Sequence, residues 1–239
     1  MINSEIILLS WTAASIGLIH TALGPDHYLP FIMMAKVRGW SMAKTTWITI
    51  LCGGGHVLSS IVLGLLGVYL GAEVMKLEVL EAYRGTLAAW LLIGFGFAYF
   101  IWGIHRAIKN KTHSHVHTHE DGSVHEHPHR HASGHAHVHD QKSSAKDLTP
   151  WILFTVFVLG PCEPLIPLLM YPAAKSSMMG MYMVAGIFTV TTLVTMVSIV
   201  LLTTWGIGFA KLGKLERYTH AIAGGTICLS GLAIMFLGL

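Results

Sequence analysis

The chain has 239 residues, 53% of them hydrophobic and only 11% charged, with a formal net charge of +3 when histidine is neutral. The few charges stand in clusters between long apolar runs, a distribution that excludes a water-soluble domain and places the chain in a bilayer. All three cysteines lie in apolar runs, and an odd number gives no disulfide framework.

A helix needs roughly 20 apolar residues to cross about 30 Å of hydrocarbon. Six runs qualify, at residues 6–34, 45–70, 86–104, 150–173, 179–209 and 219–239. No Lys or Arg precedes the first run, and no small-residue cleavage site comes before its Gly-Pro motif. It therefore reads as a retained span rather than a signal peptide. The first run is interrupted at Gly24-Pro25-Asp26-His27, and the second carries His56 directly after Gly53-Gly54-Gly55. The fourth breaks at Gly160-Pro161-Cys162-Glu163, with Pro164 next, and the fifth carries Thr191, Thr192 and Thr195. Proline removes a backbone donor and clashes with the preceding turn, so a helix is interrupted at each Gly-Pro. In lipid such a break is tolerated only beside a protein-lined or wet cavity.

Between the third and fourth runs lies a polar stretch with eleven histidines: His113, His115, His117, His119, His125, His127, His129, His131, His135, His137 and His139. It has almost no large apolar residues and reads as disordered until something binds it. Imidazole is the commonest ligand for zinc, copper, nickel and cobalt, so a metal-buffering or sensing loop is expected. Interspersed Glu120, Asp121, Glu126 and Asp140, with irregular spacing, argue against an inserted affinity tag.

Six spans divide the connections between two sides, and twelve Lys and Arg fall on one side against Lys76, Arg84 and Lys175 on the other. The positive-inside rule then puts both termini outside and the histidine-rich loop in the cytosol. Superimposing the two Gly-Pro motifs reveals a repeat at an offset of 135 to 138 residues. Ser60-Ile61-Val62-Leu63 pairs with Ser198-Ile199-Val200-Leu201, Lys76-Leu77-Glu78 with Lys214-Leu215-Glu216, and Gly96, Ala98 and Gly103 with Gly231, Ala233 and Gly238. Three spans per unit is an odd number, so the second copy enters the membrane inverted, as in many secondary transporters. The expected organisation is an all-α membrane protein with two inverted three-helix repeats, 1–108 and 149–239, around a loop at 109–148.

Each ionised group at mid-bilayer costs on the order of 2.5 to 3.5 kcal/mol, so intramembrane polar residues are read as functional. They are His20, Asp26, His27, His56, Cys162 and Glu163, taken together as the expected metal ligands. Spacing poses a difficulty. His20 and His27 fall on one helix face, yet an unbroken helix separates residues seven apart by roughly 10 Å along its axis. The Gly-Pro break must fold the chain for both to reach one ion, or His20 is an outer partner. His56 has an alternative reading as a histidine hydrogen-bonded between helices, and Cys162 as an inert packing residue. Cys52 and Cys228 are expected to pack.

The His20…Pro25-Asp26-His27 cluster, the six spans and the histidine-rich central loop resemble the nickel/cobalt transporters of the NicO type and the UreH-like urease accessory membrane proteins. The permease pattern is His, four residues, Asp-His; here five residues intervene and a proline precedes the acid. The resemblance implies that His20, Asp26 and His27 select the metal. A second segment, Pro161-Cys162-Glu163-Pro164-Leu165-Ile166-Pro167, is similar to the Pro-Cys-x-x-Pro helix break of CcdA/DsbD-type membrane thiol carriers. Those need a cysteine in each half, and the aligned position here is Asp26. No phosphate-binding loop appears, so ATP hydrolysis by this chain is not expected. The expectation is a proton-coupled carrier of nickel or cobalt, with zinc as a further cargo, working by alternating access; it is not an enzyme and holds no prosthetic group. Its expected partners are the metal ions, the lipid bilayer and a cytosolic metallochaperone or metalloenzyme accessory protein, with no nucleic acid.

Overall fold

Two Gly-Pro dipeptides set the chain path. In the computed structural model, which describes residues 4–71, 73–109, 113–118, 124–129, 149–174, 177–208 and 213–237, helix α1 (Ser4–Leu23) stops at Gly24. A single 3-10 turn, Pro25–His27, follows, and helix α2 (Leu29–Arg38) resumes the path. Gly39, at φ 60° in the left-handed region that favours glycine, caps α2. Ser41 then starts α3 (Met42–Tyr69) by accepting a hydrogen bond from the Lys44 N–H at 3.2 Å. Helix α4 (Val74–Lys109) is the longest at 36 residues.

The second break divides α5 (Thr149–Leu159) from α6 (Leu165–Ala174), and α7 (Met178–Gly208), a 3-10 turn Gly213–Tyr218 and α8 (Thr219–Leu237) complete the described fold. The run at 150–173, expected as one interrupted span, is thus two helices of 11 and 10 residues, each too short to cross alone. Five helices are long and apolar enough to span a bilayer: α1, α3, α4, α7 and α8 with the turn before it. The architecture is that of a multi-pass membrane protein. Its periphery agrees: Leu8, Trp11, Trp47, Leu51, Trp90, Trp151, Leu202 and Trp205 are exposed, a surface that water would not tolerate and lipid covers. Several hydroxyls inside the apolar helices bond their own backbone, as Thr21 does with the Gly17 carbonyl at 2.7 Å.

Helices pack in three main pairs, α1 on α7, α3 on α5 and α4 on α8. The α4–α8 crossing is the tightest. A Cβ on Gly96 would run into the backbone of Gly224 and Cys228, and one on Gly231 into the Ala89 carbonyl and the backbone of Ile93. Small residues let the two backbones approach where larger ones would hold them apart. As α4 advances from Ala89 to Gly103, its partners on α8 retreat from Gly231 to Ala221, so the pair is antiparallel.

Within the histidine-rich stretch, strands β1 (His113–Thr118) and β2 (Val124–His129) pair antiparallel, with His113 opposite His129, His115 opposite His127 and His117 opposite His125. His119, His131, His135, His137 and His139 lie outside the described residues.

Candidate metal centre

Helix α1 delivers His20 in its last turn, where the His20 carbonyl accepts the Gly24 N–H at 3.0 Å. Pro25 has no N–H to extend the ladder, so the chain tightens into a turn closed by His27 N–H to the Gly24 carbonyl at 3.1 Å. This folding removes the separation that an intact helix would impose. The His20 and His27 rings meet edge to face, centroids 4.8 Å apart and planes at 77°. From α3, His56 stands against the other side of His27 at 5.1 Å and 87°. One ring nitrogen from each of the three lies within 4.8 Å of the others.

The protonation pattern follows from the partners. The His56 Nδ1 faces the Phe157 carbonyl at 3.2 Å, and the His27 Nδ1 faces the Gly24 carbonyl at 3.2 Å. A carbonyl can only accept, so each Nδ1 carries the hydrogen and each Nε2 keeps its lone pair. The Nε2 atoms of His20, His27 and His56 are all buried and without a hydrogen-bond partner. Buried polar atoms are rarely left so, and histidines that hold a metal by one nitrogen while donating from the other to a carbonyl are the usual arrangement. An ion about 2.0–2.1 Å from each nitrogen needs them roughly 3.3 Å apart, so ligation would draw the rings closer than the 4.8 Å within which they lie.

Asp26 lies beside this trio rather than in it. Its Oδ1 is 3.4 Å from the His27 Nδ1 and, like the three Nε2 atoms, is buried without a hydrogen bond. A carboxylate there is an outer partner for the His27 ring, the kind of neighbour that orients a ligating imidazole. Beside the cluster opens a cavity of about 600 Å³, lined by His20, Asp26, His27 and His56 from the first half of the chain and by Pro161 and Glu163 from the second. Both helix breaks therefore face the same space. Six waters occupy about 180 Å³ at about 30 Å³ each, so a hydrated ion fits within it.

The second break contributes differently from the first. Glu163 is exposed at the cavity wall. Cys162 is fully buried among Ala13, Val57, Leu165 and Phe188, as in the packing reading, and is not in the histidine group. Thr192 is buried against Gly17 of α1, away from the cavity lining. Two residues not singled out in the sequence hold this break: Glu81, fully buried, and Arg84, which pairs with it. An i,i+3 acid–base pair at the start of an apolar run was the signal available, and on sequence alone it reads as a solvated helix end.

Compared with family models, curated proteins and solved structures, the chain matches none.

Proposed function

We propose that this chain is a secondary transporter that moves a divalent transition-metal ion across a membrane, with the imidazoles of His20, His27 and His56 as the central ligands. One observation carries the reading: three histidines, each with a buried, unpartnered Nε2, bring ring nitrogens within 4.8 Å of one another beside a helix break that opens on a cavity. Nitrogen-rich sites suit nickel, cobalt, zinc and copper rather than magnesium or calcium. Nickel or cobalt is the proposed cargo, in keeping with the resemblance to NicO-type and UreH-like proteins, and zinc is the competitor.

The packing supports two inverted repeats. Gly96 lies against Gly224 and Cys228, and Gly231 lies against Ala89 and Ile93. Each member of the first set has its counterpart 135 positions away, Gly96 with Gly231, Ala89 with Gly224 and Ile93 with Cys228, which is the offset of the sequence repeat. The pairing of α1 with α7 is likewise the counterpart of α5 with α3. A two-fold relation between antiparallel helices has its axis perpendicular to them, hence in the membrane plane, the symmetry of inverted-repeat carriers. Rocking of one repeat against the other would expose the cavity to each side in turn, and proton exchange on Asp26, Glu163 and the histidines would couple the movement, since ligands must lose protons to bind. In the proposed orientation the termini are outside and the histidine-rich loop gathers or hands over ions in the cytosol. The thiol-carrier alternative lacks a partner: Cys52 belongs to one core cluster and Cys162 to the other.

Uptake of radioactive nickel, cobalt and zinc into vesicles tests the proposal. Flux in the intact chain that is abolished in His27→Ala supports it, and equal flux in the two removes it.

A further inference from the structure

A helix that ends inside a membrane leaves carbonyl and N–H groups without water to satisfy them. The first break closes on itself, through Gly24 N–H to His20, His27 N–H to Gly24 and Tyr28 N–H to Pro25. The second also closes locally, through Gly160 N–H to Val156 and Leu165 N–H to Cys162, but it is served from another helix as well. Arg84 of α4 donates through Nη2 to the carbonyls of Val158 at 2.8 Å and Gly160 at 3.3 Å, the ones that the end of α5 releases. Glu81, one turn earlier, accepts the Cys162 N–H at 3.1 Å on Oε2. The two side chains pair with each other, and both engage α3, Arg84 with Ser59 at 2.6 Å and Glu81 with Ser60 at 3.2 Å.

The same residues lead to the imidazole cluster. Ser59 donates to the His56 carbonyl at 2.7 Å, and the His56 Nδ1 bonds Phe157, the residue before Val158. Gly160 is also against the His56 ring: a Cβ there would come within 3.0 Å of Nδ1. Displacement of the end of α5 thus displaces the acceptor that orients His56. We propose that Glu81 and Arg84 are positioning residues that hold the second helix break shut and, through Phe157 and Ser59, set His56 for ligation. This rests on the reading of the three imidazoles as a metal site. Glu81 is fully buried and the Arg84 side chain only 17% exposed, so the pair stands as a built internal clamp rather than a surface ion pair. Arginine suits it because a planar fork of donors can reach two carbonyls, two hydroxyls and a carboxylate at once.

The test has two readouts on the full chain in lipid nanodiscs. Cys162 reports the clamp: it is fully buried behind the break, so its alkylation by N-ethylmaleimide, followed by site-resolved mass spectrometry, is slow in the intact chain. In Arg84→Gln it becomes at least about tenfold faster, as a local opening allows, with Arg84→Lys between the two. Cobalt titration followed by its visible absorption, taken as the difference from His27→Ala so that the histidine-rich loop cancels, reports the site: affinity in Arg84→Gln falls about 10- to 100-fold, the usual effect of losing an outer partner of a ligand, and Arg84→Lys restores part of it. The double variant Glu81→Gln with Arg84→Gln labels more slowly than Arg84→Gln alone, because no buried charge is left unpaired. Cys162 still protected in Arg84→Gln overturns the clamp, and labelling that rises with cobalt affinity unchanged overturns its link to His56. Absence of cobalt binding in the intact chain is a separate result, which removes the proposed function while leaving the labelling outcome to decide the clamp.

Discussion

The Nδ1 of His56 donates to the carbonyl of Phe157, 3.2 Å away and 101 positions further along the chain. This one bond joins the two halves of the chain and leaves the His56 Nε2 buried without a hydrogen-bond partner, in a ring packed against His27. The bond also explains why position 160 is glycine: a Cβ would lie 3.0 Å from the His56 Nδ1 and 3.2 Å from the Phe157 carbonyl. In Gly160→Ala the neighbours must give by a few tenths of an ångström. The expected outcome is a cobalt affinity about tenfold weaker, the lower end for a disturbed outer partner, with little change in melting temperature. Cobalt titration and a thermal scan of the same preparation check it.

Alanine at His20, His27 or His56 should remove one of three donors. A loss of at least about a hundredfold in affinity, close to 2.7 kcal/mol, is expected for His27 and His56. His27 and His56 are 2% and 3% exposed, whereas His20 is less enclosed, so a water can take the place of His20 and its loss should be milder. Calorimetric titration with nickel on each variant measures the order.

Imidazole ligates only as the neutral base. Lowering the pH therefore protonates free ligands in competition with the ion, and affinity must fall as pH falls. Each proton taken up contributes about one decade of affinity per pH unit. Nickel or cobalt dissociation constants, followed from pH 8 down to the acid limit of the folded protein, should weaken toward acid as the imidazoles take up protons.

Stability should depend on features remote from the cavity. At the α4–α8 crossing, Gly96→Leu forces two backbones apart, and overpacking of this kind costs about 1–3 kcal/mol. At Gly94, a Cβ meets nothing within 4 Å, so Gly94→Ala serves as the neutral companion. Melting temperatures in one detergent compare the two. Truncating Glu81 to alanine strands the Arg84 charge and is expected to destabilise by about 3–5 kcal/mol.

Both helix breaks were legible in the sequence because proline acts through covalent geometry: it has no N–H, whatever surrounds it. Five of the six expected spans are legible for a similar reason, since hydrocarbon imposes one composition on every residue facing it. His20 and His27 were legible only as a problem, because the distance between them depends on how the chain turns at Gly24, which residue types alone do not specify. Asp26 was read as a ligand, and its place beside the His27 Nδ1 could be seen only with the turn in hand. Cys162 and Glu163 are adjacent in sequence yet one is sealed in an apolar cluster and the other lines the cavity, a difference set by the direction in which the chain leaves Pro161. Glu81 and Arg84 stayed hidden because their partners are on α3, α5 and the second break; an acid and a base three positions apart look the same on a solvated helix end.

The central claim is that His20, His27 and His56 jointly hold the transported ion. X-ray absorption at the nickel edge, on the full chain loaded with nickel and read as the difference from the same chain carrying His20→Ala, His27→Ala and His56→Ala, tests it most directly. The account predicts a nitrogen-rich shell with outer-shell scattering from about three imidazoles, reduced by one in His27→Ala. A shell of oxygens alone, or a spectrum identical in the variant, would contradict it.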